Sequence, residues 1–206
     1  MSRPVAPEHA RTVVLVGPLA AGKSTLGGLV AARLGRPFVD VDEVSWTYGQ
    51  EVGWTLERLL ARDEAVGWLA AEAEWEPARA HAVERVLGDH PGAVVALGAG
   101  YTSFTDAAHG ERVRAALGRA GHVVHVRPSP DPARCVAVLR ERARRTRGRD
   151  WLIEGHDFIA GWVADPLPAE VATATVYTDG VDPEESAEAV VRLLAEPDLA
   201  DVGQLP

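Results

Sequence analysis

Nine consecutive residues, Gly17-Pro18-Leu19-Ala20-Ala21-Gly22-Lys23-Ser24-Thr25, fit the pattern G-x-x-x-x-G-K-[ST] at every fixed position. Glycines at both ends let the backbone turn its N–H groups around a polyphosphate. Gly17, Ala20, Ala21 and Gly22 are therefore candidate phosphate-binding positions. Lys23 would bring an ammonium to the β- and γ-phosphates, Ser24 a hydroxyl to Mg2+, and Thr25 would support the loop. The 21 basic residues of the chain are 20 arginines and this one lysine. Arginine replaces lysine on most surfaces, but not where a compact point charge must enter a tight loop.

A second set is Phe38-Val39-Asp40-Val41-Asp42. Read as an extended segment, it puts two carboxylates on one side. Such a pair can hold magnesium water, or take the proton of an attacking hydroxyl. It can also be turn or cap residues before a helix. Asp40 and Asp42 are the candidates for these roles. A third set, Leu97-Gly98-Ala99-Gly100-Tyr101, lets backbone approach a small ligand closely, or is a tight strand–helix turn.

These residues need elements to hold them. Short β-branched runs at 12–16, 37–41, 93–97, 122–126 and 172–177 read as buried strands. Between them, 22–34, 106–120, 132–147 and 183–194 read as helices, with a cap at Thr105 or Asp106. Residues 56–87 read as mostly helical, broken near Gly67 and Pro77. Strands joined by helical crossovers imply an α/β fold, a parallel sheet covered on both faces, with ligands at the strands' carboxyl ends. The whole chain, 1–206, reads as one domain, and 196–206 as a loose tail.

In these motifs the chain resembles the shikimate kinase family of small-molecule P-loop kinases. The phosphate loop, FVDVD, LGAGY, the arginine-rich segment ending Arg149-Asp150-Trp151-Leu152 and the last strand–helix occur in the family's order, over about 12–195. The resemblance implies a five-stranded parallel sheet, a helical substrate-binding part at about 44–90 and a mobile lid at about 140–157. It implies that Asp40 orients magnesium water and that Asp42 is the base or substrate-hydroxyl ligand. Gly98, Ala99 and Gly100 match a family Gly-Gly-Gly turn with its middle glycine replaced. Arg149 matches the lid arginine on the transferring phosphate, Arg140 or Arg144 would lie against the nucleotide base, and Arg79 would fill the first of two places that clamp a substrate carboxylate. The second place, near Leu167-Pro168-Ala169-Glu170, holds no arginine. Phosphoryl transfer carries over on these matches better than shikimate does.

Six tryptophans are many for 206 residues. Each fits core packing; together, Trp46, Trp54, Trp68 and Trp75 suggest a wide aromatic acceptor pocket, with Tyr48 and Tyr101 adding hydroxyls. The expected acceptor is a ring-bearing hydroxyl compound, such as a nucleoside or an antibiotic, in resistance or biosynthesis. True shikimate kinase is the alternative. The expected donor is ATP or GTP with Mg2+. Seven arginines between 134 and 149 suit a lid closing over triphosphate. The histidines lack metal-site spacing, and the single Cys135 reads as structural. A net charge of −9 argues against nucleic-acid partners, and no apolar run suits a membrane span. The start carries charge and proline, unlike a secretory signal. A cytoplasmic monomer or homodimer is expected. A switch GTPase would need a second lysine for base reading, and a decayed binding protein need not keep Lys23, Ser24, Asp40 and Asp42.

Overall fold

The computed structural model describes residues 12–195. The expected loose tail (196–206) and the charged start (1–11) lie outside the described residues. Five parallel strands form one sheet: β1 (Val13–Val16), β2 (Phe38–Asp40), β3 (Val94–Ala96), β4 (His122–Arg127) and, last in sequence, β7 (Ala174–Tyr177), in the order β2-β3-β1-β4-β7. Alternation along β1 explains its double coverage. Val14 and Val16 enter one core cluster, Val13 and Leu15 the other. All four are fully buried, so the sheet is sandwiched between helices.

The crossovers are α1 (Lys23–Leu34), three helices α2 (Val41–Glu51), α3 (Leu56–Val66) and α4 (Trp68–Asp89), then α5 (Ala107–Leu117), α6 (Pro132–Arg147) with α7 (Phe158–Ala164) and α8 (Leu167–Val171), and α9 (Pro183–Ala195). β1 lies between β3 and β4; the crossover from β1 runs to β2 on one side, and that from its neighbour β3 runs to β4 on the other. That switch point opens a crevice at the carboxyl ends of the strands, where the phosphate loop lies. Sequence-predicted strands and long helices agree with these elements, and Asp106 does cap α5.

Two details differ. The chain turns helical at Val41, so Asp40 and Asp42 do not share an extended segment; Asp40 ends β2 and caps α2, and Asp42 sits in the first helical turn. Gly67 separates α3 from α4 as expected, but α4 runs unbroken through Pro77. A proline inside a helix costs about 3 kcal/mol. Here the ring points to solvent, while Ala71, Ala78, Ala80, Ala82, Val83 and Val86 of the same helix are buried and offset that cost. Residues 152–157 form a two-stranded hairpin, β5 (Leu152–Ile153) and β6 (His156–Asp157). Its turn residues Glu154 and Gly155 both have positive φ, 51° and 78°, which suits a two-residue hairpin loop.

Candidate active site

The loop between β1 and α1 can take its shape only with glycine at key positions. Gly17 has φ 137°, and a Cβ there would collide with the Val126 carbonyl oxygen. Gly22 has φ 101° and caps α1 without any side-chain hydrogen bond, leaving the helix N-terminus free to meet an anion. In front of the loop lies a cavity of about 570 Å³, bordered by Ala20, Ala21, Gly22, Lys23, Ser24 and Thr25 on one side and by Asp40, Asp42, Gly98 and Ala99 on the other. Thus the loop, the acid pair and the start of the glycine turn meet in one place.

Lys23 is buried, and its Nζ donates to Gly17 O at 2.8 Å and Pro18 O at 2.7 Å. Burial lowers its pKa to about 8; Asp42 and Asp40 oppose that, and Arg147 adds to it. Asp40 Oδ1 accepts from the Asp42 backbone N–H at 3.1 Å, so Asp40 caps α2, and both aspartates border the cavity. Asp42 opens into the cavity and is exposed there. Desolvation, then the Asp40 charge, raise its pKa, while Lys23 and Arg147 pull it down. A carboxylate with raised proton affinity, beside an ammonium, suits proton acceptance from a hydroxyl. Gly98 belongs to the same wall: a Cβ there would collide with Asp42 Oδ1.

Arg79 is placed differently from the expectation of a carboxylate clamp. Its side chain is almost fully buried. Nη1 donates to Gly100 O, and to Ser103 O at 3.2 Å. Nη2 is 3.1 Å from Glu72 and 3.8 Å from Glu76. Trp75 and Phe104 cover the guanidinium. Arg79 therefore pegs the 98–103 turn to α4. Glu76 does the same one step on, accepting from Thr105 N at 2.6 Å and Asp106 N at 3.1 Å.

The aromatic pocket is also corrected. None of the six tryptophans borders the cavity. Trp46 stacks on Trp75 at 5.2 Å, and both pack, with Trp68, against Trp54 in a small core of the helical segment. Trp151 and Trp162 pack against each other at 5.7 Å. Tyr101 is buried edge-on to Trp75 and bonds Ser45, and burial raises its pKa. Tyr48 spends its hydroxyl on His90, away from the cleft.

The arginines of α6 divide by face. Arg134, Arg140 and Arg144 pair with Asp179, Asp157 and Asp150, so neither Arg140 nor Arg144 borders the cavity. Arg149 lies over the Trp151 ring at 4.1 Å, also outside it. The arginines that border it are Arg142, Arg145 and Arg147. Arg142 holds Thr178 through its hydroxyl at 3.0 Å and its carbonyl at 2.8 Å, and Thr178 reaches back to Ala21 O at 3.2 Å. From sequence, Arg142 is only one of seven lid arginines, and Thr178 and the nearby Val181 carry no local motif. A signal for Arg142 existed: it stands three residues after Leu139 and four after Val138, on the buried stripe of α6.

The profile of the shikimate kinase family matches residues 19–195, which include the loop from Leu19 onward, the acid pair and the glycine turn. The chain belongs to the shikimate kinase family. Among curated members, the shikimate kinase of Streptomyces avermitilis is 36% identical over 192 residues, covering 88% of this chain and 94% of that protein. That of Xanthomonas campestris pv. campestris is 30% identical over 190 residues, covering 91% and 94%. Among solved structures, shikimate kinase from Acinetobacter baumannii, in complex with shikimate, superposes with a TM-score of 0.64 at 25% identity, covering 94% of this chain and 99% of that one. Like the other members, this chain is a small-molecule kinase by fold and by family.

Proposed function

We propose that the chain transfers the γ-phosphoryl of ATP to a hydroxyl of a small ring-bearing acceptor. The observation that carries this is the meeting of Lys23 and Asp42, cation and proton acceptor, in one cavity at the mouth of the phosphate loop. The acceptor oxygen would form the new bond to phosphorus, the bond to the β-phosphate oxygen would break, and the hydroxyl proton would pass to Asp42 Oδ. Lys23 and Arg147 would stabilise charge spread over the transferring group. Ser24 and Asp40 fit a hard cation, and they would hold Mg2+, whose charge would neutralise the phosphate oxygens. Arg142, Thr178 and Val181 would flank the nucleotide at the other end. The helical segment 41–89 would serve the acceptor, and the end of α6 with its hairpin would act as lid, bringing Arg149 closer than it stands here.

Shikimate itself is the second reading, favoured by the names of the curated relatives. Against it stands Arg79, which is buried and held by Gly100 O, Ser103 O and Glu72 inside the protein. A nucleoside or an antibiotic falls within the proposed acceptor class, and nothing in the cleft selects it over other ring-bearing alcohols. The test is incubation with ATP and Mg2+ against shikimate, other cyclic polyols, nucleosides and nucleoside antibiotics, followed by mass. One phosphoryl gained by a hydroxyl compound supports the reading. Nucleotide hydrolysis with no phosphorylated acceptor contradicts it.

A further inference from the structure

The helical segment that follows the acid pair is strongly acidic. Residues 41–89 hold eleven Asp and Glu against four arginines and no lysine. Each of those arginines has partners within the protein. Arg58 donates to Gly53 O at 2.7 Å and lies over Trp54. Arg62 is held by both oxygens of Glu74, and Arg85 by Glu51 and Asp89. Arg79 stands closest to the glycine turn and is the most confined. Its second Nη2 N–H has only Glu76, at 3.8 Å, and its Nε–H is without a partner, but the whole guanidinium is buried and covered by Trp75 and Phe104. A guanidinium recognises a carboxylate through two parallel N–H donors. Arg79 presents no such pair at an exposed surface.

Of the segment's acids, Asp42 borders the cavity, whose other charged lining groups are Asp40, Lys23, Arg142, Arg145 and Arg147. Glu72 is partly exposed beside the turn, with its Oε1 3.1 Å from Arg79 Nη2 and 3.7 Å from where a Gly100 Cβ would sit. A carboxylate brought here would meet like charge with no free cation from the segment to compensate, and like-charge juxtaposition in a partly desolvated site is unfavourable.

From the burial of Arg79 among partners inside the protein, together with Asp42 and Glu72 as the acids on this side, we infer that the acceptor is a cyclic polyol without a carboxylate, either uncharged or carrying an amine. Glu72 sets the preference by holding Arg79 turned inward. The inference rests on the reading of the cleft as a kinase site.

The test uses three acceptors that share one ring and differ at one substituent: shikimate, its carboxamide, and the corresponding primary amine. With ATP and Mg2+, kcat/KM for the carboxamide or the amine is expected to exceed that for shikimate by at least about tenfold. In Glu72→Gln, Nη2 of Arg79 loses its nearest acid. The disadvantage of shikimate is then expected to narrow by roughly three- to tenfold. Damage to the fold alone would lower all three acceptors together and leave their ratio fixed. Shikimate preferred, or all three equal, overturns the inference while the kinase reading stands. An unchanged ratio in Glu72→Gln overturns the role of Glu72. Transfer to none of the three also overturns the inference; the kinase reading then survives only if the wider acceptor screen gives a phosphorylated product.

Discussion

Lys23 carries the clearest consequence at the scale of single residues. A polyphosphate needs it charged, and in the free protein its pKa is lowered to about 8 by burial. ATP affinity should therefore be full below that pH and fall as pH rises through it. Because an anion raises the lysine's proton affinity, binding at about pH 8 should take up a proton. Calorimetry in buffers of different ionisation heat would register the uptake. Lys23→Arg stays protonated throughout, so its affinity, though lower, should not change between about pH 7 and about pH 9. Asp42 gives the opposite limb. Its pKa is raised, and only the ionised form accepts a proton, so acceptor turnover should fall as pH drops through that raised value. Among residues, the phosphate loop and both aspartates were legible in sequence because their chemistry is local: one backbone shape, one cation, two acids at fixed spacing. The fate of Arg79 was not legible. Its partners Gly100 O, Ser103 O and Glu72 reach it only through the tertiary fold, although Glu76 at i−3 gave a hint.

Between elements, the contact with the most to say joins the β5–β6 hairpin to α4. The N-terminus of α4 has no side-chain cap of its own. Glu154, at the hairpin tip, supplies one, accepting from Trp68 N at 2.7 Å and Leu69 N at 3.1 Å. A carboxylate at a helix N-terminus contributes about 0.3–1 kcal/mol or somewhat more. Glu154→Gln should thus raise the acceptor KM by roughly two- to tenfold and speed proteolysis of the hairpin, with ATP affinity little changed. Equal losses for ATP and acceptor would contradict this account of the contact. The strands and long helices were readable from periodicity. The hairpin, α7 and α8 were not, since elements of two to seven residues hold too few positions to show a period. Pro77 misled for a different reason. Burial along the rest of α4 outweighs a local breaker, and burial is a property of the packed whole.

Over the whole molecule, the net charge of −9 is an average of two unlike regions. Seven arginines lie between 134 and 149, and three of α6's arginines face the cavity. The segment 41–89 is acidic. The crevice between them is positive where a triphosphate would enter and negative where an acceptor would. Salt should accordingly weaken ATP binding, raising its KM several-fold from about 0.05 M to about 0.5 M ionic strength, while KM for an uncharged acceptor stays nearly constant. Steady-state kinetics at two salt concentrations would check both halves. The central claim is more basic: Lys23 and Asp42 serve one transfer reaction. Its most direct test follows the γ-phosphoryl of labelled ATP in a single turnover, with an acceptor from the screen, in the unaltered protein and in Asp42→Asn. The account predicts label on the acceptor hydroxyl, with transfer slowed at least about 10²-fold in the variant while ATP still binds. Label released only as inorganic phosphate, or transfer by Asp42→Asn at the unaltered rate, would contradict it.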